Sequence, residues 1–259
     1  CHMIVDEEQH LVPGISGVVG DGIIPGLYGY EGGQAGVGDI FEWFVENAVP
    51  GWYERRAAEA GLSVYQALER DAAQQRPGEA GLIALDWWNG NRSVLVNAGL
   101  SGLLIGMTLG TRPPDIFRAL IEATAFGTRI IVDTFEQNGV RVKELVACGG
   151  LAERNKLLLQ IYADVTGREF VVGGTGQASA LGAAMLGALA AGRQAGGFDS
   201  LTKAAQSMVA DTGETYRPNA AHHKVYQSLF ADYQRLHDTF GRGENDVMLR
   251  LRELRHQGV

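Results

Sequence analysis

The sequence predicts an α/β layered domain, with helices packed on a mixed sheet, and three observations carry that prediction. From residue 103 onward, short apolar runs of strand length alternate with longer stretches of helical spacing. Paired glycines, Gly149-Gly150 and Gly173-Gly174, sit where two of those runs give way to helices. The first forty residues read instead as a hairpin followed by a glycine-rich loop, which adds an antiparallel component.

Met3-Ile4-Val5 and residues 15–19 read as the two strands of that hairpin, turned at Pro13-Gly14. Residues 20–38 read as loop. A helix is expected from Asp39, with Glu42 three residues on as in a capping box. A second box, Ser63 with Gln66, opens a helix that reaches about Gln75, ahead of Pro77-Gly78. Residues 82–88 form an expected strand, and Asn89-Gly90-Asn91 a turn.

Residues 103–107 are an apolar run of strand length. Pro113-Pro114-Asp115 opens a helix with Ile116, Leu120, Ala123, Gly127 and Ile131 along one face. Residues 144–148 read as a strand that ends in Gly149-Gly150. The next helix carries Leu158, Ile161, Tyr162 and Val165 and stops at Gly167. Phe170–Val172 is a strand, and Ala178–Ala191 a helix of small residues. The last long helix starts at Asn219, with Val225, Leu229, Tyr233, Leu236 and Phe240 as its apolar face.

Composition removes several function classes. The formal net charge of -8, with no basic block to offset it, argues against a nucleic-acid or anionic-membrane surface. The densest basic stretch, 250–255, reads as a solvated helix face. No apolar run approaches the roughly 20 residues that span a bilayer. Cys1 and Cys148 cannot make a disulfide framework, so a reducing cytoplasm is expected.

Known catalytic spacings are mostly missing. No Gly-rich loop runs into Gly-Lys-Ser/Thr, no Gly-x-Ser-x-Gly occurs, and the six histidines lack cysteines at zinc spacing. Gly174 to Ser179 nearly spells the dinucleotide fingerprint, but Ser179 stands where its last glycine belongs. His222-His223 reads as solvent-facing and Cys148 as an inert buried thiol. The strongest local signal is Val146-Ala147-Cys148-Gly149-Gly150, a strand that enters a helix through paired glycines. Such a junction exposes backbone N–H groups to a ligand. From pattern alone, a plain strand-to-helix turn explains it equally well.

Longer stretches add a resemblance. Gly102-Leu103-Leu104-Ile105-Gly106-Met107 with Asp115-Ile116 and Ala119-Leu120-Ile121-Glu122 resembles the C-terminal signature of FGGY carbohydrate kinases. Cys148-Gly149-Gly150 with 160–167, and Ala180-Leu181-Gly182-Ala183-Ala184, are similar to that family's adenosine segment and small-residue helix. Asp21 to Gly26, Tyr30-Glu31, Leu85 to Arg92 and Phe240 to Gly243 resemble the branch that phosphorylates L-ribulose.

The resemblance implies an actin-like ATPase (ribonuclease H-like) fold, and residues 1–259 as a C-terminal nucleotide-binding domain with a helical insertion at about 39–80. It implies ATP, Mg²⁺ held through the phosphates, and a pentulose as ligands. Gly38, Gly149, Gly150, Arg154 and Asn155 are the implied nucleotide contacts, and Glu31 the implied sugar contact. Trp87 and Trp88 are read as packing, and Glu42 as a helix cap. The catalytic aspartate and a phosphate-binding turn are expected upstream, in an N-terminal domain absent from this sequence, so the implied partners are that domain and a second copy in a homodimer. A non-catalytic actin-like nucleotide-binding module is the alternative.

Overall fold

The computed structural model describes residues 2–209 and 213–257. Strand β1 (His2–Asp6) pairs antiparallel with β3 (Tyr28–Gly32), and β3 pairs on its other side with β2 (Val18–Gly20). The expected β1–β2 hairpin is therefore not formed, because β3 lies between them. That strand hides in the stretch that reads as loop, since Gly29 and Gly32 interrupt its apolar pattern. Both glycines serve close packing. A Cβ on Gly29 would lie 2.7 Å from Ile23, and one on Gly32 3.0 Å from Ile131. Tyr30 between them is buried; its hydroxyl donates to the Glu8 carbonyl at 3.1 Å and accepts from the His10 amide at 2.7 Å.

Helices α1 (Gly38–Asn47), α2 (Gly51–Glu59) and α3 (Val64–Ala72) follow. The Ser63–Gln66 box at α3 is formed, with bonds of 3.2 and 2.9 Å. The Asp39–Glu42 box is not. Helix α1 starts one residue earlier, its N-cap is Val37, and no side chain caps it. Glu42 thus does not act as a cap residue.

Strands β4 (Ile83–Leu85) and β5 (Leu103–Ile105) form a two-stranded antiparallel sheet, each shorter than expected. After α4 (Pro113–Gln137) come β6 (Leu145–Ala147), α5 (Gly150–Arg154), α6 (Lys156–Thr166) and β7 (Phe170–Val172). Helices α7 (Ala178–Ala191) and α8 (Leu201–Met208), β8 (Thr215–Tyr216), α9 (Ala220–Gly241) and α10 (Val247–Gln257) complete the order. The third sheet runs β6-β7-β8, parallel then antiparallel. The single mixed sheet expected from sequence is divided among three, and among the described residues this third sheet alone is mixed.

Helix α9 buries Tyr226, Phe230, Tyr233 and His237; of the expected face, Tyr233 is buried, Leu229, Leu236 and Phe240 are half-buried against the core, and Val225 is exposed. Aromatic packing sets this register. Tyr226, Phe230 and Tyr233 all lie within 5.2–6.1 Å, centroid to centroid, of Phe126 on α4. His222 and His223 are not free solvent-facing groups either. Their Nδ1 atoms lie 2.9 Å from Asp164 Oδ2 and 2.7 Å from the Asp164 carbonyl, which ties α9 to α6. No helix among the described residues is long and apolar enough to cross a membrane.

Helix α4 is the centre of the packing and meets α1, α3, α6, α9 and β4. Its burial extends to charged side chains. Arg118 donates to Glu122 Oε1 (2.9 Å), to the Ala72 carbonyl (3.0 Å) and to the Tyr226 hydroxyl (2.9 Å), while Tyr226 donates to Glu122 (2.8 Å). Burial raises the Glu122 carboxyl above its ordinary range, and the neighbouring Arg118 charge pulls it back. Removing one partner of such a pair leaves a charge without compensation in a dry interior. Arg118→Met is therefore expected to cost about 3–5 kcal/mol by chemical denaturation, and adding Glu122→Met to recover roughly half or more of it.

Candidate functional site

Strands β6 and β7 run parallel in the register Leu145↔Phe170, Val146↔Val171, Ala147↔Val172, so their C-terminal ends open at one edge. Ligands of α/β sheets lie in the crevice beyond such ends. Two glycine loops leave there side by side. The Gly173 amide donates to the Ala147 carbonyl at 2.8 Å, and a Cβ on Gly173 would lie 2.9 Å from Cys148 Sγ. A Cβ on Gly176 would collide with the Glu153 carboxylate. The loops after β6 and β7 thus form one surface.

Gly149 sits at φ 94°, ψ 169°, a region open essentially to glycine, and a Cβ there would meet no atom within 4 Å. The backbone faces open space in a conformation that no side chain obliges. Gly150 has ordinary φ and begins α5. Arg154, exposed one turn on, lays its guanidinium 3.3 Å from the place a Gly150 Cβ would take. The expected single helix after the glycines is broken at Asn155, which is extended. Its Oδ1 accepts from the Leu158 amide at 2.8 Å and caps α6. Cys148 is exposed, in contrast to the buried thiol expected, because β6 ends at Ala147 and the residue lies in the loop.

The opposite wall comes from the segment after β3. A cleft of about 1040 Å³ is lined by Gln34 and Val37 on one side and by Cys148, Leu151 and Ala152 on the other. Gly38 follows Val37, and a Cβ on it would also meet open space. The structure thus brings Cys148, Leu151 and Ala152, which flank Gly149-Gly150, to the same cleft as Val37, the residue before α1, while Gly38, Gly149, Gly150 and Arg154 are not among the residues that line it.

Glu31 lies on β3, away from the glycine loops. Its Oε1 accepts from Arg92 Nη2 at 2.5 Å. Neighbouring bonds fasten the 86–93 segment to the same turn. The Gly33 amide donates to Ser93 Oγ (3.2 Å), and Asn89 Nδ2 to the Ala35 carbonyl (3.3 Å). Gln34 Nε2 donates to Asp86 Oδ2 (2.7 Å) and to the Thr124 carbonyl (2.8 Å). Tyr233 donates to Asp86 Oδ1 (2.9 Å) and Thr128 to Gln34 Oε1 (3.0 Å). Burial raises the Asp86 carboxyl, against the hydrogen bonds from Gln34 and Tyr233 that lower it. Gln34, Asp86 and Arg92 are polar groups of the site that spacing alone does not single out, because their partners are 50 or more positions away. No group of three or more His, Cys, Asp or Glu among the described residues is arranged to hold a metal.

Comparison with known proteins gives consistent matches. The pattern that defines the C-terminal domain of the FGGY family of carbohydrate kinases matches residues 1–191. Ribulokinase from Geobacillus thermodenitrificans is 56% identical over 252 residues, 97% of this chain and 45% of the relative. Ribulokinase from Mycolicibacterium smegmatis is 49% identical over 255 residues, 98% of this chain and 44% of the relative. The chain therefore spans about half the length of the curated relatives it matches. Among solved structures, xylulose kinase from Rhodospirillum rubrum superposes with a TM-score of 0.72 at 27% identity, over 92% of this chain and 44% of that one. Plasmodium falciparum glycerol kinase with ADP shares the fold, at a TM-score of 0.62 and 21% identity, over 81% of this chain and 38% of that one.

The two adjacent glycines make opposite demands, which a pair of substitutions separates. Gly149→Ala has room for its methyl but the wrong φ, and is expected to cost about 1–3 kcal/mol. Gly150→Ala meets only the mobile end of Arg154 and is expected to cost about 0.5 kcal/mol or less. Urea denaturation of both variants checks the order.

Proposed function

The chain belongs to the FGGY family of carbohydrate kinases, and from that premise we propose that it forms the nucleotide-binding wall of an ATP-dependent pentulose kinase, with L-ribulose as its substrate. The observation that carries this reading is the Gly149 backbone, held in a glycine-only conformation against open space where β6 and β7 end together. An adenosine lying on that edge passes over Gly149 and Gly150, with Arg154 and Asn155 in the next turn and Gly38 approaching from the other wall. Asn155 Oδ1 already caps α6, which leaves its amide nitrogen as the group to face the nucleotide.

Glu31 is proposed to accept a hydrogen bond from a sugar hydroxyl. A carboxylate gives a strong bond to a neutral donor, and Arg92 fixes its direction. Phosphoryl transfer rests mainly on positioning and charge stabilisation, so walls that hold ATP and sugar in line supply most of what the protein contributes. Mg²⁺ would enter with the nucleotide phosphates, since the described residues offer no carboxylate cluster of their own. The general base is assigned outside this chain. Asp86 is buried and its two oxygens are taken by Gln34 and Tyr233, so it holds the scaffold together instead. The remaining length of the relatives is where the proposal places the second wall, in an N-terminal domain, with all 259 residues here acting as one nucleotide-binding domain.

Titration calorimetry of the 259-residue chain tests the nucleotide assignment. ADP is expected to bind weakly, ATP with nearly the same affinity, and Gly150→Val to abolish both heats. No heat from ADP at millimolar concentration would remove the assignment. Coupled ADP-release assays with ATP, Mg²⁺ and L-ribulose test the division of labour. The chain by itself is expected to show no sugar-dependent turnover, and turnover that Glu31→Ala abolishes would place the general base within it.

A further inference from the structure

Tyr30 and Gly32 are buried on β3, so the alternation of the strand turns Glu31, between them, to the opposite and more open face of the β1-β3-β2 sheet. Arg92 reaches that face from the segment between β4 and β5, and its Nη2 donates to Glu31 Oε1 at 2.5 Å. The two side chains are 46% and 37% exposed, so both charged groups meet solvent there. Gly33 makes room for this approach. Nη1 of Arg92 lies 3.4 Å from the place a Gly33 Cβ would take, which sets the guanidinium against bare backbone. The Ser93–Gly33 and Asn89–Ala35 bonds on either side hold it there.

Holding Glu31 uses little of what Arg92 offers. A guanidinium carries five N–H donors in one fixed plane, and the bond to Glu31 engages one of them. A carboxylate has roughly four acceptor positions, of which Arg92 takes one. The contact therefore presents further donors beside further acceptors, one hydrogen-bond length apart. Oxygens on adjacent carbons of a polyol or a hydroxyketone have the same spacing. One hydroxyl can give its hydrogen to the carboxylate while the oxygen next to it accepts from the guanidinium, and both bonds are charge-assisted. The neighbours suit the C–H surface of a small sugar. Met3, exposed, stands opposite Glu31 across the β1–β3 ladder, and Ile23 lies against Gly29 two residues before it. The two charges cancel, so an acidic group that approaches Arg92 meets repulsion from Glu31.

We propose that Arg92 is a second sugar contact, and that with Glu31 it reads two adjacent oxygens of an uncharged sugar. Glu31 accepts from one hydroxyl, and Arg92 donates to the oxygen beside it. A single carboxylate recognises any well-placed hydroxyl, whereas the pair requires two neighbouring oxygens on the same side of the carbon chain. This rests on Glu31 as a sugar contact and adds to it a residue and a stereochemical requirement.

Steady-state kinetics of the full-length kinase with Glu31→Ala, Arg92→Met and the double variant distinguish a contact from a brace. Each single variant is expected to raise KM for L-ribulose about tenfold or more and to leave KM for ATP within about twofold. Adding Arg92→Met to Glu31→Ala is expected to raise KM for L-ribulose about threefold or more beyond Glu31→Ala alone. Arg92→Lys on the Glu31→Ala background, which keeps the charge without the fork, is expected to give a smaller loss than Arg92→Met. No further loss on adding Arg92→Met overturns the proposal, because Arg92 then acts only by holding Glu31. Equal rises in the sugar and ATP constants for both Arg92→Met and Arg92→Lys overturn it too, since Arg92 then supports the fold. Glu31→Ala without effect on KM for L-ribulose removes Glu31 as a sugar contact and the pair with it, a failure distinct from the other two.

Discussion

A helix of 25 residues buried on nearly every face has nowhere to put polar side chains except against other buried polar groups, and α4 does this along its length. Arg118, Glu122, Thr124 and Thr128 are all buried on it. Each is answered by a partner from another element or from the helix backbone. Arg118 and Glu122 take Tyr226 from α9 and the Ala72 carbonyl at the end of α3. Thr124 returns its hydroxyl to the Ile121 carbonyl, and Thr128 reaches Gln34. A buried network is stabilising only when complete, so α4 fixes where α3, α9 and the segment after β3 come to rest.

Gly127 is where this constraint reaches the candidate site. A Cβ there would lie 2.6 Å from Gln34 Nε2 and 2.8 Å from Asp86 Oδ2, so that hydrogen-bonded pair can lie directly on the helix. Gln34 belongs to the turn between Glu31 and Gly38, and Asp86 to the segment that ends in Arg92. The same contact therefore sets Glu31, its arginine and the near wall of the cleft. The far wall depends on α6, which packs on α4 and carries Asn155 as its cap. Both walls are thus referred to one helix.

Much of this was legible in the sequence where a local signal coincides with a structural need. The Pro113-Pro114 helix start, the Ser63–Gln66 box, the Gly167 stop and the extent of α7 are short-range and stand as read. The elements that escape are those decided at long range. Strand β3 carries two glycines because Ile23 and Ile131 press on it, and neither is visible from 28–32 alone. The most buried side chains of α9, Tyr226, Phe230 and Tyr233, are gathered by Phe126, about a hundred residues earlier, while its aliphatic Leu229 and Leu236 stay half-buried beside them. At the site, the Gly149-Gly150 junction announces itself, while Gln34, Asp86 and Arg92 become polar anchors only once the chain has folded. The capping reading of Glu42 and the buried reading of Cys148 fail for a simpler reason. Each element ends one residue or so from where the pattern ends, and at a boundary that decides which way a side chain is turned.

The central claim is that the edge where β6 and β7 end together is a nucleotide-binding wall facing the start of α1. A crystal structure of the 259-residue chain grown with ADP tests it most directly. The account predicts density for the adenosine over the Gly149-Gly150 backbone, with Arg154 beside it and Gly38 across the cleft. Well-ordered ADP elsewhere on the molecule, with the Gly149 loop unchanged and bare, would contradict it.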